Sequence, residues 1–227
     1  MEEFTELIQT CSLFANISDS ELSAMMNCLM AVKYQYDKNE FIFMAGDPAR
    51  SVGIVISGSA NILKEDYWGN RTILANIEPG QLFAEAFSCM QTDRLPVSVI
   101  ATEKTEILLL EYNRIITTCS LACTYHTKLI QNMMRILAQK NVMLTQKMAI
   151  VTHRTTRDRL LAYLSGQAFK AGNSRFTIPF SRQELADYLS VERSAMSAEL
   201  SRMQADGLIR TKRSSFELLF DFSEEKI

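Results

Sequence analysis

Apolar residues follow two different spacings along this chain of 227 residues. From Val32 onward, short runs rich in Ile, Val, Phe and Leu are punctuated by Gly and Asp: FIFMAGD, VGIVISGSANILK and RTILANI. Trp68-Gly69-Asn70 and Glu78-Pro79-Gly80 separate them as turns, and Gly46, Gly58, Gly69 and Gly80 each stand where the chain must reverse. Runs of this length and composition predict an antiparallel β-roll or jelly roll. Ahead of it, Phe14 followed by Ser18 and Glu21 reads as a hydrophobic staple and capping box, opening a short helix through Leu22, Met25 and Met26.

From Ser120 to about Thr152 the spacing becomes helical. Ile130, Met134, Leu137, Asn141, Leu144, Met148 and Val151 stand alternately four and three apart, which is a heptad seam. A seam sustained over three repeats must be buried against something, and the simplest partner is the same helix of a second copy in a parallel dimer. Asn141 in that seam either pairs with its mate to fix register or answers a ligand at the interface. After His153, Thr155 and Thr156 interrupt the pattern before a new apolar face at Leu160, Leu161 and Leu164, so a hinge is expected there.

The stretch Ser181 to Ile209 carries the most specific pattern. Ser181 with Glu184 is a capping box, and Leu185, Tyr188 and Leu189 give the helix one apolar face. Ser190, Val191 and Glu192 make a turn. Met196, Leu200 and Met203 then recur at helical spacing until Gly207, a residue suited to closing a helix. Arg193, Ser194, Ser197 and Ala198 lie near the start of this second helix and off its apolar stripe, at the end that a recognition helix inserts into the major groove. A short strand at Phe176 to Pro179 precedes the pair. A wing hairpin from Leu208 to Phe222 follows, with Arg210, Lys212 and Arg213 at a basic tip.

Charge supports a division of labour. The net charge is −2, but residues 1–150 hold 12 Lys or Arg against 16 Asp or Glu, whereas residues 151–215 hold 11 against 6. A basic module on an acidic body confines attraction for a polyanion to one part of the chain. The hydrophobic fraction of 47% suffices for one large or two modest cores. No run approaches a bilayer span and the start Met1-Glu2-Glu3 is not a secretory signal, so the protein is expected to be cytoplasmic and free of membrane. Five cysteines with no CxxC pair predict free thiols. Cys119, Cys123 and His126 would share a helix side and could offer three ligands to a soft metal, but an apolar helix start is the plainer account and no metal is assigned. No Ser-His-Asp set, phosphate loop or carboxylate pair can be placed on a site, so the chain is not expected to be an enzyme.

SRQELADYL, RSAMSAELSRM and DGLI, together with the order of elements over nearly the whole chain, resemble the bacterial cyclic-AMP receptor protein and fumarate-nitrate reduction regulator (CRP/FNR) family. The resemblance implies an α+β chain of three parts: an effector-sensing β-roll of the cyclic-nucleotide-binding type over residues 1–118, a dimerisation helix over 119–153, and a winged helix-turn-helix over 154–227. It also implies a homodimer that reads a pseudo-palindromic double-stranded DNA site, with RNA polymerase as a further partner. Two departures matter. Ala198 stands where the family commonly has a base-reading arginine, and the cysteine cluster of its iron-sulfur branch is missing, Cys11 and Cys28 standing alone.

Direct readout is therefore expected from Arg193, helped by Ser194 and Ser197, with phosphates held by Ser181, Arg182, Arg202, Lys212 and Arg213. In the roll, Glu85 matches the family's ribose-binding acid. Ala84 replaces a glycine, however, and Leu95 and Pro96 replace the Arg and Ser or Thr that clamp phosphate, Arg94 being one residue off. The expected effector is thus an unidentified small molecule other than a cyclic nucleotide. Phe83, Glu85, Phe87, Leu95, Val97 and Val99 would face it from the roll, and Met134, Leu137 and Asn141 from the helix. Alternatives are a cyclic-nucleotide or redox regulator of the same architecture, or a small-molecule binder whose winged helix contacts protein.

Overall fold

The structure, a computed structural model, describes residues 11–18, 21–22, 25, 28–117 and 124–220. The chain divides into two compact units, residues 1–141 and 142–227.

The first unit is an antiparallel roll of two four-stranded sheets. Its strands are β1 (Val32–Tyr36), β2 (Phe41–Phe43), β3 (Ser51–Ser57), β4 (Ala60–Glu65), β5 (Arg71–Ile77), β6 (Leu82–Phe83), β7 (Ser98–Ala101) and β8 (Thr105–Glu111). One sheet has the order β1-β8-β3-β6 and the other β2-β7-β4-β5. The continuous apolar run of β3 reflects burial on both faces of its sheet. Val55 points between the sheets, with Phe83, Val99 and Ile107. Val52, Ile54 and Ile56 point outward, against Leu129, Met133 and Ile136 of the long helix. A strand covered on both sides has no polar face to display.

Two glycines are required by their neighbours. A Cβ on Gly53 would lie 2.0 Å from the Phe83 ring, so the ring occupies the place of a side chain. Gly58 takes φ 77°, and a Cβ there would meet the Lys104 carbonyl at 2.4 Å. Two short helices, α1 (Glu85–Cys89) and α2 (Tyr112–Ile116), were not signalled by periodicity because five residues are too few to show a helical repeat. Near the start of the chain, Glu21 Oε2 accepts from the Ser18 amide at 2.8 Å, one half of the expected capping box, and Phe14 is buried. Met26 lies outside the described residues.

The long helix α3 (Thr124–Thr152) presents two stripes. Leu129, Asn132, Met133 and Ile136 are buried against the roll. Asn132 Nδ2 donates to the carbonyls of Leu13 and Ala15, both at 2.9 Å. The heptad seam lies on another side: Met134, Asn141, Leu144 and Met148 are exposed, and Ile130, Leu137 and Val151 half-buried. Ser120, Cys119 and Cys123 lie outside the described residues.

The second unit holds α4 (Thr156–Ala171), β9 (Arg175–Thr177), α5 (Arg182–Leu189), α6 (Arg193–Ala205), β10 (Ile209–Lys212) and β11 (Ser215–Leu218). Thr155 caps α4, its hydroxyl accepting from the Asp158 amide, which starts a new helix at the expected hinge. The strand expected at Phe176 to Pro179 is shifted to Arg175–Thr177, where Phe176 stacks on Phe216 of β11. The three strands form one sheet in the order β10-β11-β9. Among the described residues no helix is long and apolar enough to cross a membrane.

Candidate nucleic-acid interface and effector region

The helix-turn-helix is fixed by local caps and a shared core. Ser181 Oγ accepts from the Glu184 amide and Glu184 Oε2 accepts from the Ser181 amide, a complete capping box at the start of α5. Ser190 takes the left-handed conformation at φ 53°, turning the chain after Leu189. Glu192 then caps α6, its carboxylate accepting from the Ala195 amide at 3.2 Å and from the Ser194 hydroxyl. The Ser194 hydroxyl and that amide hold the Glu192 carboxyl below the usual carboxylate range. Leu185, Ala186, Leu189, Met196, Leu200 and Met203 are buried where the two helices meet, so Arg193, Ser194, Ser197 and Ala198 are left exposed on the opposite face.

The expected DNA contacts fall into three groups. Arg193, Ser197, Lys212 and Arg213 are exposed, and their side chains make no hydrogen bond or ion pair among the described residues. Arg213 sits at the hairpin tip with φ 55°. Ser181, Ser194 and Arg202 are exposed but already engaged: Ser181 and Ser194 in capping, and Arg202 with Glu199 at 3.2 Å. Arg182, also expected at the phosphates, is half-buried and engaged within the domain. Its guanidinium lies 5.0 Å from the Phe216 ring centroid and donates to Thr211 Oγ1 at 2.6 Å, and burial lowers its pKa from the usual arginine value. An amphipathic arginine next to an aromatic wing strand covers the ring before it reaches solvent. Arg210 is likewise not at the tip, but faces Glu217 at 3.6 Å.

Three cations missed by the sequence reading position this interface. Arg159 of α4 donates to the carbonyl of His153 at 2.9 Å and to those of Leu189 and Ser190 at 3.1 and 2.9 Å, tying the end of α3 to the helix-turn-helix turn. Arg157 bonds Glu199 and Asp206, holding the far half of α6. Lys147 lies 4.0 Å from the Tyr188 ring centroid, within an aromatic group of Tyr163, Phe180 and Tyr188, and burial pushes its pKa down to about 8. A basic residue reaching a distant carbonyl or ring leaves no local sequence signature.

In the roll, the expected effector residues turn inward. Phe83, Leu95, Val97 and Val99 are buried, and Phe83, Leu95 and Val99 belong with Val55 and Ile107 to the core between the sheets, against which Phe87 packs. These side chains pack on one another, as inward strand positions of a small roll are usually filled by their own side chains. Leu95 is also held by backbone bonds with Gly46 and Asp47, and Arg94 is exposed with Nη1 3.4 Å from the Gly46 carbonyl. Met134 and Asn141 face away from the roll on the exposed seam, while Leu137 packs at the edge of its outer core. Glu85 is 3% exposed and pairs with Lys140 of α3 at 2.8 Å. Ala84, in the place expected for glycine, takes φ 64°. Of the cysteines, Cys11 is buried and its thiol is pushed up to about 11, far from a reactive thiolate. No group able to hold a metal occurs among the described residues.

A β-roll, a long helix with an exposed apolar stripe and a winged helix-turn-helix with an exposed basic face define a DNA-binding transcription regulator. The comparisons agree in both halves. Residues 33–120 match the cyclic nucleotide-binding domain, and residues 158–219 match the Crp-like helix-turn-helix domain. The chain is 26% identical over 187 residues to the transcriptional activator protein anr of Pseudomonas aeruginosa, covering 80% of this chain and 74% of that one. It is also 26% identical over 189 residues to the CRP-like protein Clp of Xanthomonas campestris, covering 78% and 80%. In fold it is similar to the c-di-GMP responsive global regulator CLP of Xanthomonas campestris, with a TM-score of 0.73, 21% identity and coverage of 88% and 99%. FixK2 from Bradyrhizobium japonicum gives 0.67, 20%, 83% and 92%. The chain belongs to the CRP/FNR family of transcription regulators.

Proposed function

We propose that the protein binds a pseudo-palindromic DNA site as a homodimer joined along the α3 seam, and that a small molecule other than a cyclic nucleotide adjusts this binding. The observation that carries the reading is the state of Arg193. Glu192, the acid that precedes it, is occupied by Ser194 and the Ala195 amide, so the Arg193 guanidinium stays available at the start of an exposed helix face. A guanidinium there can make the bidentate contact to guanine that Ala198 cannot supply. Lys212 and Arg213 on the wing hold phosphates, and Ser197 assists at the base edges.

The dimer is supported by an apolar stripe with no cover from its own protomer: Met134, Leu144 and Met148 are 67%, 58% and 61% exposed. The exclusion of cyclic nucleotides is supported by Leu95 in the core and by Pro96, which has neither hydroxyl nor amide donor. The test is sedimentation and duplex binding on the purified chain, together with melting in cyclic AMP or cyclic GMP. The expected result is a dimer that shifts a selected palindrome. Neither nucleotide should raise the melting temperature, although ligand at about 100 times its dissociation constant would add about 2.7 kcal/mol. A monomer on the palindrome, or a clear rise with either nucleotide, would contradict the reading.

A further inference from the structure

The acid at the start of α1 and a lysine on α3 form an ion pair for which neither partner was singled out as a pair by sequence. Glu85 Oε1 meets Lys140 Nζ at 2.8 Å, and the same ammonium donates to the carbonyl of Leu82 in β6. One lysine thus grips the chain on both sides of Ala84, whose left-handed backbone makes the turn from β6 into α1. The pair is well shielded, with the Glu85 side chain 4% and the Lys140 side chain 27% exposed. Glu85 Oε2 is buried with no hydrogen-bond partner among the described residues. Lys140 also adjoins Asn141 of the seam, and Ile136, one turn earlier, is packed in the roll's outer core.

A buried pair of this kind contributes little net stability, since desolvation offsets the attraction. Its consequence is geometric: removal of the Lys140 ammonium leaves the Glu85 carboxylate buried and unanswered, so the two elements are favoured in one arrangement. We propose that the Glu85–Lys140 pair is an internal latch that joins the β6–α1 turn to the long helix and holds the seam in its DNA-binding register without ligand. Release of the latch lowers DNA affinity by freeing the helix to shift relative to the turn. This rests on the homodimeric DNA-binding reading above.

The test uses the full chain with Glu85→Gln, Lys140→Met and the exchanged pair Glu85→Lys with Lys140→Glu. Affinity for a duplex selected by the unaltered protein, dimer mass and amide exchange at residues 82–89 are measured for each. Each single variant should remain dimeric, lose about tenfold or more in duplex affinity, and exchange faster at the turn. The exchanged pair should recover most of the loss. Unaltered duplex affinity in Lys140→Met, or single variants that exchange faster at the turn yet bind DNA as before, would overturn the latch. A failure of the unaltered protein to bind any duplex would instead overturn the DNA-binding reading on which it rests. Variants too unstable to purify leave the exchanged pair as the deciding form: it must bind the duplex within about threefold of the unaltered protein, and weaker binding by a folded dimer refutes the proposal.

Discussion

The roll and the winged helix handle their polar side chains in opposite ways. In the roll, Glu85 is turned inward and met by Lys140, and Phe83 and Leu95 are spent on packing. In the winged helix Glu192 and Glu184 are used locally as caps and Glu199 is paired with Arg157 of α4, while the cations at the helix start and wing tip are left to solvent. The difference teaches where each half keeps its function. On the reading proposed above, the winged helix works through groups that wait for an outside partner, whereas the roll works through the positions of packed elements.

The strongest way to break this contrast is to charge the exposed apolar stripe of α3. Leu144→Asp with Met148→Asp places four carboxylates in a dimer seam, and each buried unpaired charge costs about 3 kcal/mol or more. Because both residues are exposed in a single chain, the protomer should melt almost unchanged while sedimentation reports a monomer and specific DNA binding is lost. Leu137 is less suited to this purpose because it also packs on the roll, so its loss would disturb both.

Next in size, Phe83→Ala tests whether the roll interior is packing or pocket. The ring fills the space above Gly53 and meets Phe43 at 5.6 Å between centroids, so truncation should cost about 3 to 5 kcal/mol by denaturant unfolding of the roll. A loss well under 1 kcal/mol would mean the ring lines open space.

The smallest effect concerns Lys147. Its pKa falls from 10.5 to about 8 on folding because burial penalises the ammonium. Between those values the unfolded chain binds a proton that the folded chain does not, so this residue's contribution to stability rises with pH across the window and is flat below it. Lys147→Met should therefore show a poorer balance of stability at about pH 9.5 relative to about pH 7.5 than the unaltered protein, measured by denaturant midpoint. Equal pH slopes in the two proteins would mean that Lys147 is not buried over Tyr188.

How much of this was legible in sequence depended on how local the cause was. The capping box at Ser181, the stripe of Met196, Leu200 and Met203, and the turn glycines are set by neighbours a few residues away, and all appear in the structure. The long helix was equally visible because its period lies within one element. What stayed hidden were contacts between distant residues: Lys140 with Glu85, Arg159 with the carbonyls of Leu189 and Ser190, and Arg182 near Phe216. The part played by Phe83, Leu95 and Val99 was not legible for a related reason, since the same apolar residues serve a cavity wall or a filled core.

The central claim, that exposed and unanswered groups on the winged helix carry sequence readout, is tested most directly by selecting sites from a random duplex pool with Arg193→Ala and Lys212→Ala beside the unaltered protein. Loss of a bidentate guanine contact should remove about 1 to 3 kcal/mol of discrimination at one symmetric pair of positions, whereas loss of a phosphate contact weakens all sequences alike. The account predicts that Arg193→Ala relaxes that one pair and that Lys212→Ala leaves the selected sequence unchanged while reducing salt dependence. An unchanged site preference for Arg193→Ala would contradict it.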